Sequence, residues 1–349
     1  MADFVMPAEW EPHEAIWVGW PSDPALWEAD LDGARDEVAD LVAALVSPDA
    51  ESGAADEIDL VATAGRAAEA AAASLAEDIA DGAVRVVEAP LGDIWLRDTG
   101  PLLTRGSAGL RAAGFRFNGW GGKYRLGSDD RMADILAEMA GLPFHRVEAL
   151  VAEGGAIEID GEGTAITTRQ CLLNPNRNPG ADEAAVEAAL REALGVERVL
   201  WLDEGLAGDH TDGHVDNLAR FLAPGRVVIQ RPTGDDDPNR DVYAAIKAAL
   251  KGAVDAGGRT LEIIEIPSPG LIEIDGEPAA ASHMNFLIGN GALVAPHYVE
   301  AGGDETAAEE AFDLLMDEGP RASGALLPSH HILSGGGSFH CITQQRPKV

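Results

Sequence analysis

Cys341 closes the segment Ser-Gly-Gly-Gly-Ser-Phe-His-Cys, eight residues that run from Ser334. The run Gly335-Gly336-Gly337 permits backbone conformations that other residues avoid and lets a ligand approach the main chain closely. A thiol just beyond such a loop is placed where a nucleophile is useful. A free cysteine taken alone is more often a buried structural thiol, so the glycines, with histidines elsewhere in the chain, tip the reading toward chemistry. The other cysteine, Cys171, precedes an apolar pair and a proline-rich turn. It has no local glycine loop or acid–base partner and reads as structural.

Three further segments carry acids and bases. His210-Thr-Asp-Gly-His-Val-Asp-Asn places His214 and Asp216 two residues apart. In an extended chain that spacing puts both on one face. The same segment offers His210 and Asp212, which with His214 also make a metal-ligand set. The glycine between the histidines argues against the helical His-x-x-x-His of familiar zinc sites. Asp93-Ile-Trp-Leu-Arg-Asp-Thr-Gly-Pro crowds Trp95, Arg97 and Asp98 onto a strand end before a turn, where an Arg97–Asp ion pair is the bland alternative. Glu153 precedes two glycines, a carboxylate on a tight turn. One thiol, one histidine, three acids and a tryptophan suit a planar, delocalised cation. A guanidinium pairs in a fork with carboxylates, and two of them would leave its central carbon open to a thiolate.

The elements that must position these residues alternate along the chain. Strands are expected over 13–20, 58–62, 84–87, 102–104, 110–115, 226–230, 260–266, 325–327 and 338–343. Helices are expected over 31–45, 65–79, 131–140, 182–194, 241–253 and 305–316. Hairpins are expected at 156–168, around Asp160-Gly161, and at 286–295, around Gly289-Asn290-Gly291. Helices recur at spacings of very roughly 50 to 70 residues, a pattern compatible with structural repeats but without evident sequence identity between units. No long Pro/Ser linker divides the chain, so one α/β domain over residues 1–349 is expected.

Composition excludes several partners. With 60 acidic and 25 basic residues, the formal net charge is −35 over 349 residues. Such a chain repels phosphates and anionic membrane surfaces, so neither nucleic acid nor membrane is an expected partner. Only four lysines occur. Most of this acidity reads as a solvated surface of the kind a salt-adapted host favours, with cation steering left to the cleft. No apolar run reaches the roughly 20 residues of a membrane span. No basic, then apolar leader is visible at the start. Two cysteines make no disulfide framework, and a cytoplasmic setting is the default.

Seven stretches, in order, resemble one family: MPAEWEPHEAIWVGWP from Met6, DIWLRDTGP from Asp93, FNGWGGKY from Phe117, EGGAIEIDGEGTAITTRQCLLNPNRNP from Glu153, TDGHVDNLARF from Thr211, SHMNFLIGNGALVAPHY from Ser282 and GGGSFHCITQQRP from Gly335. Together they are specific and span nearly the whole chain. The sequence resembles the agmatine deiminases of the guanidine-modifying superfamily, and more broadly the bacterial-type peptidylarginine deiminase family. Two positions depart from the pattern, Ala156 and Asp212, and they bear on substrate choice.

The resemblance implies a five-bladed α/β-propeller (pentein fold) of ββαβ units around a central funnel, with no cofactor and no metal. It implies that Cys341 is the nucleophile, His214 the acid–base, Asp98 and Asp216 the guanidinium clamp, and Glu153 the residue that orients His214. Trp95, Gly336 and Gly337 are expected at the substrate. The implied substrate is a small cationic guanidine, agmatine, converted to N-carbamoylputrescine on a polyamine route. Related deiminases are often dimers, so a homodimer is expected. Three other readings stay open at this point. The first is the same chemistry on peptidyl-arginine, arginine or another guanidine. The second is a metal-dependent hydrolase using His210, Asp212, His214 and His330 or His331. The third is a non-catalytic binding propeller.

Overall fold

The computed structural model describes residues 4–349. One topology recurs in five mixed sheets. An antiparallel pair of strands is followed by a helical crossover to a third strand, parallel to the second. Glu158–Ile159, Thr164–Thr168 and Arg198–Leu202 make one unit around helix Glu183–Leu194. Ala219–Ala223, Arg226–Arg231 and Glu262–Pro267 make the next, around Arg240–Leu250. Leu287–Ile288, Ala292–His297 and Ser323–Pro328 follow, around Glu305–Glu318. Leu102–Gly106, Gly109–Arg116 and Phe144–Val151 repeat the order around Met132–Met139, with Phe4–Val5 added at the edge.

The fifth unit is stitched from both ends of the sequence. His13–Gly19 takes its antiparallel partner from Thr343–Pro347 and pairs in parallel with Ile58–Ala62, which in turn pairs in parallel with Val84–Glu88. Helix Leu31–Val46 buries Ala34, Val38, Leu41, Val42 and Leu45, the three- and four-residue spacing of one apolar face. Ile58–Ala62 is buried at every position, as expected of a parallel strand covered on both sides. Helix Glu183–Leu194 starts at Asp182, whose carboxylate accepts from Ala185 N, and ends at Gly195 with φ 76°.

Most expected elements appear within a residue or two. The helix expected over 65–79 breaks at Leu75 into Arg66–Ser74 and Ala76–Ala80. Phe144–Val151, Arg198–Leu202 and Ala219–Ala223 are strands without a clear alternating pattern in sequence. The strand expected over 338–343 is instead a turn, and pairing begins only at Thr343. Asn285 contributes to this: its Oδ1 accepts from the amides of His340 and Cys341 at 3.0 and 3.2 Å, which helps hold them off any sheet.

Candidate active site

The five segments that connect one unit to the next converge. Residues 89–101 deliver Asp98, 152–157 deliver Glu153, and 203–218 deliver His214 and Asp216. Residues 268–286 deliver Asn285, and 329–342 deliver His340 and Cys341. The convergence is tightest at Gly155, where a Cβ would fall 2.6 Å from His214 Nδ1, 2.9 Å from Asp98 Oδ1 and 3.1 Å from Asp216 Oδ2. That is why a glycine follows Glu153-Gly154: any side chain would occupy the space between base and acids.

All five residues singled out in sequence come together, though three by unexpected local geometry. His214 and Asp216 do not lie on an extended strand; Val215–Asn217 is a turn of 3₁₀ helix. Asp98 is not at a strand end but on a one-turn helix, Leu96–Thr99. Arg97 forms no pair with a neighbouring aspartate; it reaches Glu9 at 3.7 Å.

Cys341 Sγ lies 3.7 Å from Asp216 Oδ2 and accepts from Asn285 Nδ2 at 3.2 Å. Burial, then the charges of Asp216 and Asp98, push its pKa well above that of an ordinary thiol. Asp98 Oδ2 accepts from Trp120 Nε1 at 2.8 Å and Oδ1 from Gly155 N at 3.0 Å. Burial nevertheless raises its pKa, with Asp216 and Glu153 adding to the rise and His214 opposing it. Asp216 is buried too, but His340, whose Nδ1 lies at 2.8 Å, together with His214 and Arg220 outweighs burial and lowers its pKa. Its other oxygen, Oδ1, is buried without a partner, an acceptor aimed at something absent from the chain itself.

His214 is wedged between carboxylates. Nδ1 lies 3.7 Å from Asp98 Oδ1 and Nε2 lies 3.6 Å from Glu153 Oε2. Burial disfavours its charge, yet Asp98, Cys171 and Glu153 together outweigh it and raise the pKa well above the usual imidazole value. Glu153 is held below the carboxylate range despite its burial, by His214 and by Arg177 at 3.0 Å.

Cys171 is not the remote structural thiol expected from its flanking residues. Its sulfur lies 3.8 Å from Glu153 Oε2, beneath the His214–Glu153 pair. Burial and Glu153 raise its pKa, so it stays a neutral thiol.

A cavity of about 520 Å³ opens onto Cys341. Trp95 and Trp27 stack along one wall with centroids 6.2 Å apart, and both indole N–H groups donate to Asp93, at 2.8 and 3.0 Å. Gly336, with φ 105°, lines the cavity. Gly337 packs behind it, where a Cβ would sit 2.5 Å from the Trp95 ring and 3.1 Å from Cys341 Cβ. The sequence assigned no role to Trp27, Asp93, Trp120, Asn285, His340 or Glu9; the motifs of the last five were visible, and Trp27 lies in none of them.

The metal-hydrolase set does not assemble. His210 stacks on Tyr124, Asp212 pairs with Lys123 and Arg177, and His214 turns inward. Among the described residues, the groupings within ligand reach are Glu153–Cys171–His214 and Glu37–His330–His331. No helix among them is long and apolar enough to cross a membrane.

The profile of the Porphyromonas-type peptidyl-arginine deiminases matches residues 5–347. The chain belongs to this family. Within reach of it are curated relatives such as the agmatine deiminase of Stutzerimonas stutzeri, 39% identical over 99% of this chain and 95% of that relative. The agmatine deiminase of Pseudomonas aeruginosa strain LESB58 is 37% identical with the same coverage. Among solved structures, the agmatine deiminase of Enterococcus faecalis superposes with a TM-score of 0.89 at 29% identity, covering 99% of this chain and 96% of that one. An amidinotransferase from Microseira wollei, 12% identical with a TM-score of 0.52, shares the α/β fold alone.

Proposed function

We propose that the protein is an agmatine deiminase, hydrolysing the guanidinium C–N bond of agmatine to give N-carbamoylputrescine and ammonia. The observation that carries this reading is the convergence of Cys341, Asp216, Asp98, His214 and Glu153 on one pocket. The family membership and the curated agmatine deiminases at full-length coverage support it.

Asp98 and Asp216 receive the guanidinium, whose charge relieves their mutual repulsion. The unpartnered Asp216 Oδ1 is a ready acceptor for one of its N–H groups. In the free protein Cys341 is a neutral thiol. The arriving cation offsets the two carboxylates that hold its pKa up, and the thiol proton passes to solvent. The thiolate attacks the guanidinium carbon. His214, a cation through Asp98 and Glu153, gives its proton to the departing nitrogen, and ammonia leaves. An S-alkylthiouronium remains on Cys341. Neutral His214 then takes a proton from water, whose oxygen adds to the same carbon. Collapse breaks the C–S bond, the departing Cys341 sulfur takes up the remaining hydroxyl proton to restore the neutral thiol, and the ureido product is left, with one histidine acting as acid and then base. Glu153 positions that histidine. No step calls for a metal or organic cofactor.

The pocket favours a substrate with a free amine at its far end. Its walls carry Glu28, Asp30, Asp93 and Asp275, and none of its lining residues is an arginine or lysine. The α-carboxylate of free arginine would meet acids there and no cation. Trp95 and Trp27 would flank the alkyl chain.

We infer further that the five units are blades of a five-bladed α/β-propeller, so that residues 1–349 form one domain. That arrangement brings every inter-unit connection to one central pocket. The setting inferred is the cytoplasm, in keeping with two free thiols, and the assembly inferred from the family resemblance is a homodimer.

Ureido-product formation from agmatine, arginine and a peptidyl-arginine, with and without chelator, tests the reading. Chelator-resistant turnover that prefers agmatine is expected, lost in Cys341→Ala and kept in Cys171→Ala. Preference for arginine or the peptide would move the substrate. Full activity of Cys341→Ala would end the mechanism.

A further inference from the structure

Three of the chain's nine histidines gather away from Cys341. His330 and His331 open the short helix His330–Ser334, and their rings lie with centroids 3.9 Å apart.

The carboxylates around them have no arginine or lysine partner. Glu37, only 3% exposed on helix Leu31–Val46, places Oε1 3.1 Å from His330 Nδ1. The direction of approach makes no hydrogen bond, and His330 Nδ1 is buried without a partner. Asp30 Oδ1 lies 2.7 Å from His331 Nδ1. Glu300 Oε2 lies 4.0 Å from His330 Nδ1 and 3.5 Å from His297 Nδ1. The other nitrogen of His331 faces Gly33, where a Cβ would fall 2.3 Å from Nε2. Only a glycine there leaves Nε2 clear, while Nδ1 is hydrogen-bonded to Asp30.

We propose that Glu37, His330 and His331 form a binding site for one divalent first-row transition-metal ion, with Asp30 orienting the His331 ring. Donor atoms on a single ion at bond lengths of about 2.1 Å lie about 3 Å apart, close to the 3.1 Å between Glu37 Oε1 and His330 Nδ1, and one donor atom from each of Glu37, His330 and His331 lies within 4.8 Å of the others. Two imidazoles with a carboxylate suit Zn²⁺, Ni²⁺ or Cu²⁺ and not Mg²⁺. An ion there neutralises buried acid that no basic residue offsets. It also ties the two rims of the substrate pocket together. Asp30 lines one rim, and the helix that carries both histidines runs directly into Ser334, Gly335 and Gly336 on the other. The site is separate from the Glu153–Cys171–His214 grouping beneath the pocket, and it does not depend on the substrate proposed above.

Calorimetric titration of Zn²⁺ and Mg²⁺ into the full-length Cys341→Ala protein, which lacks the pocket thiol as a rival ligand, tests this. One Zn²⁺ per chain and no Mg²⁺ response are expected. His330→Ala with His331→Ala in that background should weaken Zn²⁺ binding at least about tenfold, and adding Cys171→Ala to the parent instead should leave it unchanged. Asp30→Asn, a change at a half-exposed side chain, should weaken it without disturbing the fold and keeps the test decisive if the double variant misfolds. Absence of Zn²⁺ binding, undiminished binding in the histidine or Asp30 variants, or loss of binding in Cys171→Ala would each overturn the proposal.

Discussion

The thiol of Cys341 sits 3.7 Å from the carboxylate of Asp216, with Asn285 on its other side. A carboxylate so close stabilises the protonated thiol, and Asp98 adds to the effect. The free protein should therefore react slowly with iodoacetamide at neutral pH. The inactivation rate should rise only above the free-cysteine value of about 8.5. Asp216→Asn removes the nearer charge and should shift that rise to lower pH. An inactivation profile with its midpoint below that of free cysteine would show that His214 creates the thiolate without substrate.

Glu153 acts on the pocket through His214. Its Oε2 lies 3.6 Å from Nε2, and it is itself fixed by Arg177. The raised His214 pKa means that the acid form is present at neutral pH and is lost as pH climbs through that value. Glu153→Gln removes one of the two carboxylates responsible, so the alkaline limb of kcat/KM should move down by about one pH unit or more. The fall in kcat should be roughly a hundredfold or more. An unshifted limb would mean that Asp98 alone sets the charge of His214.

Trp120 supplies the one side-chain donor to Asp98 among the described residues, at 2.8 Å. Hydrogen bonds to charged groups contribute about 1.5–3 kcal/mol. Trp120→Phe keeps the aromatic packing and should lower kcat/KM by roughly 10- to 100-fold. Burial already raises the Asp98 pKa, and losing a donor to the carboxylate raises it further, so the acid limb should move up. Unchanged kcat/KM and an unmoved acid limb would remove Asp98 from the guanidinium clamp.

The reacting residues were legible in sequence because each sits in a short glycine-marked segment before a strand, where local pattern carries the signal. Gly154 and Gly155 announce a close approach, and Gly335–Gly337 announce another. The support around them was not legible, because its partners are distant in the chain. Glu9 meets His340 across 331 positions, and Asn285 meets Cys341 across 56. The same blindness hid the surroundings of Cys171, whose neighbour Glu153 lies 18 residues upstream in another connection. The strand expected at 338–343 failed for a related reason. Its residues suit an extended chain, and Asn285, 55 or more positions away, helps hold them in a turn along with the segment's own bonds from Ile342 N to Ser338 O and from Thr343 N to His340 O.

Glu9 makes the longest-range prediction. Its Oε2 meets Arg220 at 2.7 Å, His340 at 3.0 Å and Arg97 at 3.7 Å, and His340 in turn meets Asp216. Burial works against the charge of Glu9, but these cations outweigh it and hold its pKa well below the carboxylate range. A depressed pKa contributes stability that is present above the unfolded value of about 4.3 and lost as pH falls through the folded value. Glu9→Gln leaves Arg220 with Glu158 alone and strands Arg97, a disruption of the kind that costs about 3–5 kcal/mol. Urea unfolding should therefore show the variant less stable at neutral pH, with the gap to the parent narrowing as the medium becomes acidic. A gap that stayed constant down to the acid transition would mean that Glu9 contributes through packing, independent of its charge.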